Sequence, residues 1–234
     1  YTLSLHDALP ISAERFESLL SADPDNIPAL KGAAFSRLRA GEGERAEAHY
    51  RRIVALVPES LDSRYNFALV LFKLEKYDDA RQVLRDMNAQ TGDDGEALLL
   101  LARVERAAGR VEAVDLYAGL AEKGGDAALL TEYAEAAEAA GFYARAVEAY
   151  ERLIRAGQGQ GLGAGVLRFR LARSGLLGDG ESERYVAELK SALAEGFSDQ
   201  EALRSLAEDA RLGEAARRAV AELGSAQGDE SAAP

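Results

Sequence analysis

The side chains that could do chemistry in this 234-residue chain are few. There is no cysteine, which removes thiol nucleophiles, zinc ribbons and disulfide staples together. Of the two histidines, His6 falls in an opening stretch set aside below, leaving His49 beside Tyr50. With no second histidine or cysteine to complete a triad or metal site, His49 is read as a helix-surface residue and not a general base. The acidic pairs Asp78-Asp79 and Asp93-Asp94 carry the oxygen ligands calcium prefers, but no D-x-D-x-D-G loop surrounds them, and acids near helix starts are expected from the helix dipole alone. Five glycines in nine residues, Gly157 to Gly165, would suit a phosphate cradle. Neither G-x-x-x-x-G-K-[ST] nor a preceding strand accompanies them, so a flexible connector is expected. The chain is therefore read as non-enzymatic, with no catalytic, cofactor-binding or metal-binding residue assigned and no cofactor required.

Bulk composition narrows the partners. Forty acids against 28 bases give a net charge of −12, which argues against duplex nucleic acid, whose phosphates demand a basic footprint. No run of eighteen apolar residues is present, so no membrane span is expected in the chain as it stands. At 47% hydrophobic, the chain has ample material for a core.

The elements that must position any site recur with a period of 33 or 34 residues. The reference stretch is Leu61–Asp94, two short amphipathic helices in which Phe67-Ala68 and Leu71 follow Arg64 and in which Ala80 precedes Leu84. Three combs carry the same register. Small residues recur at Ala34, Ala68, Ala102 and Ala134, and again at Ala46, Ala80, Ala113 and Ala146. Four places after the second set stand Tyr50, Leu84, Tyr117 and Tyr150 as bulky knobs. Gly41, Gly109 and Gly141 stand where each pair must reverse, with Glu75 the exception. These spacings resemble the W-x2-L-G-x2-Y and A-x3-F pattern of the tetratricopeptide repeat, a helix–turn–helix unit of 34 residues. The resemblance implies an all-α fold, a right-handed superhelical solenoid of antiparallel helix pairs. Each pair buries its apolar stripe against the next, since helices of this length are marginal alone in water.

In chain order, residues 1–11 (YTLSLHDALPI) read as the translation of a sequencing-adapter oligonucleotide fused in frame, a scar and not native structure. The natural protein is accordingly expected to extend upstream. A half repeat covers 12–26, with Phe16 in the knob place. Full repeats follow at 27–60, 61–94, 95–125 and 126–157. The glycine run is expected to be a seam, and 158–195 a connector plus a degenerate fifth repeat. Residues 196–223 are expected to form capping helices, about Gln200–Glu208 and Leu212–Leu223, burying Leu203, Leu206, Leu212, Ala216 and Val220. A tail at 224–234 is expected to be disordered.

What the family resemblance implies about function is a protein–protein interaction scaffold that holds a peptide or helix of a partner in its concave groove. That groove is lined in the family by the first helix of each pair. Here the corresponding places hold Lys31, Phe35 and Arg39, then Tyr65, Asn66, Leu69, Phe72 and Lys73, then Arg103 and Arg106, and finally Glu135 with Glu132 and Glu138. Leu69 and Phe72 have an alternative role as ordinary core. One subfamily clamps a C-terminal carboxylate of chaperones with Lys and Asn side chains from successive repeats. Of the places that correspond, Lys31, Phe35, Asn66, Glu96 and Leu100, only Lys31 and Asn66 agree, so that mode is not expected. The alternative reading is the C-terminal docking or regulatory region of a larger enzyme or envelope-assembly protein. A cytoplasmic location is favoured, with a periplasmic one open. Partner identity and oligomeric state are not legible.

Overall fold

The computed structural model describes residues 13–92, 94–157, 163–179 and 183–231. These form thirteen α-helices and no strand among the described residues. The chain divides into two compact units between Ala113 and Val114. The first holds α1 (Ala13–Ala22), α2 (Ile27–Arg39), α3 (Gly43–Leu56), α4 (Leu61–Lys73), α5 (Tyr77–Thr91) and α6 (Gly95–Ala107). The second holds α7 (Glu112–Glu122, which begins at the boundary), α8 (Ala127–Ala139), α9 (Tyr143–Arg155), α10 (Ala164–Asp179), α11 (Glu183–Ala194), α12 (Gln200–Ala207) and α13 (Glu214–Ser231).

The two helices of each pair start differently, and the sequence shows why. First helices follow open loops and carry side-chain caps. Asn26 accepts from Ala29 N (3.0 Å), Ser60 from Ser63 N (3.3 Å), Asp94 from Glu96 N and Ala97 N (3.0 and 3.3 Å), Asp126 from Leu129 N (2.8 Å) and Asp199 from Ala202 N (2.9 Å). Each such cap stabilises its helix by about 1 kcal/mol. The second helices α3, α5 and α9 have no side-chain cap, because the chain reaches them through a tight reversal. In that reversal the residue at positive φ donates to the carbonyl three residues back and its successor donates five back. Gly41 N bonds Leu38 O while Glu42 N bonds Arg37 O, and the same pair of bonds recurs at Glu75, Gly109, Gly141 and Gly196. All five occupy the left-handed region, the residue at 75 (φ +58°) being a glutamate where the others are glycine.

The three combs face inward. Ala34, Ala68, Ala102, Ala134, Ala46, Ala80 and Ala146 are wholly buried, as are Leu84, Tyr117 and Tyr150, with Ala113 and Tyr50 almost so. Burying each of the large knobs contributes roughly 1.5–3 kcal/mol. Phe16 of α1 presses its ring into the space left by Gly32 on α2, as its place in the half repeat implies.

Ion pairs join neighbouring segments at their solvent edge within each unit. Asp78 takes Arg110 at 2.6 Å, Asp115 takes Arg145 at 2.6 Å, and Glu151 takes Arg184. Exposed pairs of this kind are worth about 0–1 kcal/mol each, so they fix register more than stability. One pairing is deep. The Glu105 carboxylate is fully buried and meets Arg81 at 2.8 Å and Arg110 at 3.0 Å, both guanidinia reaching partly into solvent.

In the second unit the core gathers Leu176, Leu189, Leu203, Leu206, Leu212 and Val220 around Phe169, which stacks on Phe197 with ring centroids 4.0 Å apart and planes 9° apart. Residues 158–162 and 1–12 lie outside the described residues. The glycine run read as a seam lies within the second unit, where α9 and α10 pack directly on each other. Gly165 is the second residue of α10. The expected disordered tail is corrected through Ser231: α13 runs from Glu214 to Ser231 and does not stop at Leu223. The reason is local. Val220 anchors the helix, Gly224 passes Leu203 closely enough that an added Cβ would lie 3.7 Å from its Cβ, and no proline interrupts before Pro234.

Candidate partner-binding surfaces

The side chains singled out above for their chemistry have the following surroundings. His49 is half-buried, its Nε2 3.4 Å from the Glu17 carboxylate. Burial would raise the Glu17 pKa, but Arg37 and His49 outweigh it and hold the carboxyl below its usual value. Asp78 is the stitch to Arg110 and Asp94 the cap of α6, while Asp93 lies outside the described residues. Among the described residues no three His, Cys, Asp or Glu converge as a metal group, and no helix is long and apolar enough to cross a membrane.

In the first unit, the expected groove residues divide by environment. On α2, Lys31, Phe35 and Arg39 follow one another at four-residue spacing, which puts them on one exposed stripe. Phe35 is 59% exposed, the most exposed large apolar side chain among the described residues, with the Arg39 guanidinium 6.0 Å from its ring centroid. On α4, Lys73 is exposed, whereas Tyr65, Asn66, Leu69 and Phe72 are half-buried. Phe72 leans on Tyr77 of α5 at 6.0 Å, and the Asn66 amide donates to the Asp62 carbonyl of its own helix at 2.7 Å. Leu69 and Phe72 are thus both packing and surface. Burial raises the Tyr65 pKa, and Glu96 adds to this across to α6. Arg103 and Arg106 are half-buried and engaged.

In the second unit the glutamates of α8 are all engaged. Glu132 accepts from the Tyr117 hydroxyl at 2.8 Å, Glu135 from Arg170 at 2.9 Å, and Glu138 from Arg173 at 2.9 Å, from Tyr150 at 3.0 Å and from the Ser174 hydroxyl. The acids on α8 serve as internal acceptors for knob tyrosines and for arginines of α10. Burial first, and the Glu138 charge second, push the Tyr150 phenol far above its ordinary pKa.

Glu135, Glu138, Arg170 and Arg173 line a cleft of about 540 Å³ bounded by α8, α10 and α12. Arg170, Arg173 and Leu177 lie along one side of α10, at i, i+3 and i+7, and Arg211 enters from the turn before α13. Arg211 holds Asp209 through two bonds (2.9 and 2.5 Å), which lower that carboxyl to about 2, and it also donates to the Tyr143 hydroxyl while lying over the ring. Of this cleft the sequence reading named Glu135 and Glu138. The Arg170–Arg173–Leu177 spacing was a readable signal, but it sits in the repeat whose pattern is weakest.

Residues 37–104 match the tetratricopeptide repeat family model. No curated protein matches the chain. Among solved structures, the chain is similar to the C-terminal part of a TPR repeat-containing protein from Cytophaga hutchinsonii, with 12% identity over 84% of this chain and 79% of that one and a TM-score of 0.64. It is similar to YrrB, described as a TPR protein with an unusual peptide-binding site, with 16% identity over 83% and 98% of the two chains and a TM-score of 0.63. It is also similar to a tetratricopeptide repeat protein from Parabacteroides merdae, with 22% identity over 83% and 74% and a TM-score of 0.53. At these identities the likeness is one of fold.

Proposed function

From the premise that this chain is a tetratricopeptide-repeat protein, we propose that it is an interaction scaffold seating a peptide or helix of a partner protein on the first-helix faces. The observation that carries this reading is the Lys31–Phe35–Arg39 stripe. A phenylalanine 59% exposed and flanked by two cations supplies an apolar anchor with a polar rim, the composition of interface hot spots. The half-buried Tyr65, Leu69 and Phe72 on α4 extend the apolar surface of the same unit. The peptide-binding site for which YrrB is described supports the same use of the fold.

The test places a photo-crosslinking phenylalanine analogue at position 35 and, as a control, at the exposed Arg51 of second helix α3, in lysate of the source cells. A discrete adduct formed from position 35 and absent from position 51 is expected. The Tyr65→Ala, Phe72→Ala double variant should form it several-fold less. Equal adducts at both positions, or none at 35, would move the site off this face.

A further inference from the structure

Three successive repeats of the first unit share a backbone turn but not the charge inside it. Arg37, Leu71 and Glu105 recur at a spacing of 34 near the ends of α2, α4 and α6, and Glu42, Lys76 and Arg110 follow them at the reversal. Each turn residue donates its backbone N–H to the carbonyl of its partner, at 2.8, 2.9 and 2.9 Å. In the first repeat Arg37, its side chain 11% exposed, lies between Glu17 of α1 at 3.0 Å and Glu42 at 2.6 Å. In the third the signs are inverted. The wholly buried Glu105 meets Arg81 of α5 at 2.8 Å and Arg110 at 3.0 Å, with Arg85 at 3.6 Å. The inversion is place for place, because Glu17, Arg37 and Glu42 stand two periods of 34 before Arg85, Glu105 and Arg110. In the second repeat Leu71 carries no charge, and Lys76 reaches back to the buried Glu47 of α3 at 2.6 Å.

Repeats that look alike carry a hazard, since a second helix can dock on the wrong first helix, in its own chain or in another copy, and misassembly and exchange are the usual failures of such chains. The alanine and knob combs do not discriminate, being the same in every repeat. The charges do. Setting α5 against α2 would bring Arg81 and Arg85 onto Arg37, and setting α1 or α3 against α6 would bring Glu17 or Glu47 onto Glu105. A buried charge facing its like is strongly destabilising, whereas a correct buried pair gains little over an apolar contact. The triads therefore separate right from wrong docking more than they strengthen the right one. We propose that these inverted triads are a register key: α6 accepts α5 and rejects α1 and α3, and α2 rejects α5, so the helix pairs of the first unit stack in one order and do not exchange between copies of the chain. The key is separate from the Lys31–Phe35–Arg39 stripe and needs no partner protein.

Variants of the whole chain distinguish a key from ordinary ion pairing. Each is melted, then refolded by dilution from urea at micromolar concentration, and its monomer and oligomer shares are read by size exclusion with light scattering. Glu105→Arg alone sets a buried cation against three others, and should lower the melting temperature by several degrees and raise the oligomer share several-fold. Inverting the whole third junction (Asp78→Arg, Arg81→Glu, Arg85→Glu, Glu105→Arg and Arg110→Glu) rebuilds every pair with the signs of the first repeat. This chain should regain nearly the wild-type melting temperature and yet keep the several-fold excess of oligomer, because α5 now fits α2 and α1 fits α6. Adding Glu17→Arg, Arg37→Glu and Glu42→Arg makes those two junctions opposite again and should lower the oligomer share. An unchanged melting temperature for Glu105→Arg overturns the proposal. So does an inverted third junction that stays destabilised or refolds to monomer as completely as wild type, or an oligomer share that the second inversion leaves unchanged.

Discussion

Replacing Glu75 by glycine should make the first unit more stable, although the substitution deletes a side chain. At φ +58° Glu75 is the only non-glycine residue at positive φ among the described residues, and it fills a reversal that glycine fills at 41, 109 and 141. Holding an L-residue there costs roughly 1–2 kcal/mol through the contact of Cβ with the following carbonyl. Its carboxylate also sits at the negative end of α4, unfavourable by a few tenths of a kcal/mol. The side chain is exposed and has no ion pair among the described residues, so little is lost with it. Against the gain stands the extra freedom of glycine in the unfolded chain, about 0.4–1 kcal/mol. The balance is a stabilisation of about 0.5–1 kcal/mol, or a melting temperature higher by roughly 1–4 °C for a chain of this size. Urea unfolding gives the global value. Amide exchange of Lys76, whose N–H bonds Leu71 O at 2.9 Å inside the same reversal, reports the local one and should slow by about two- to fivefold. An unchanged or lower urea midpoint for Glu75→Gly, with exchange at Lys76 no slower, would refute the claim that left-handed strain is stored at this turn.

Three other outcomes test the packing and the buried polar groups. A Cβ added at Gly165 would lie 2.7 Å from Phe197 N and 2.8 Å from Ala192 O, both backbone atoms that cannot swing aside. Gly165→Ala should therefore cost about 1–3 kcal/mol, read as a lower melting midpoint. Glu105→Gln should cost about 1–3 kcal/mol in urea unfolding, since it removes the charge-assisted bond from Arg110 and the ion pairing with Arg81. The loss stays at that level because both guanidinia remain partly hydrated. The Tyr150 pKa is raised in the fold, so its contribution is complete below the unfolded tyrosine value near 10 and declines as pH rises above it. Tyr150→Phe should accordingly lose less stability than wild type between pH 9 and pH 11, measured as the difference in melting temperature. An equal decline in both chains would assign the alkaline loss to other groups.

Much of this architecture is a matter of local pattern. The alanines at 34, 68, 102 and 134 and the knobs at 50, 84, 117 and 150 repeat at the period of one helix pair, so helix content, pairing and the inward face follow from residue size and spacing alone. The caps Asn26, Ser60, Asp94, Asp126 and Asp199 and the turn glycines act within a few residues of themselves, and for that reason are equally readable. Phe35 belongs with them, since its exposure depends only on its place around α2.

The glutamates of α8 are different. Their sequence allows a free acidic face, and only packing against α10 brings Arg170 and Arg173, 35 residues along the chain, within hydrogen-bond reach. Arg211 meets Tyr143 across 68 residues for the same reason. Periodicity specifies which side of each helix is buried and where each pair turns, because those are short-range properties of the chain. Which charges neutralise one another is set by distances between helices remote in sequence, and these exist only once those helices have packed.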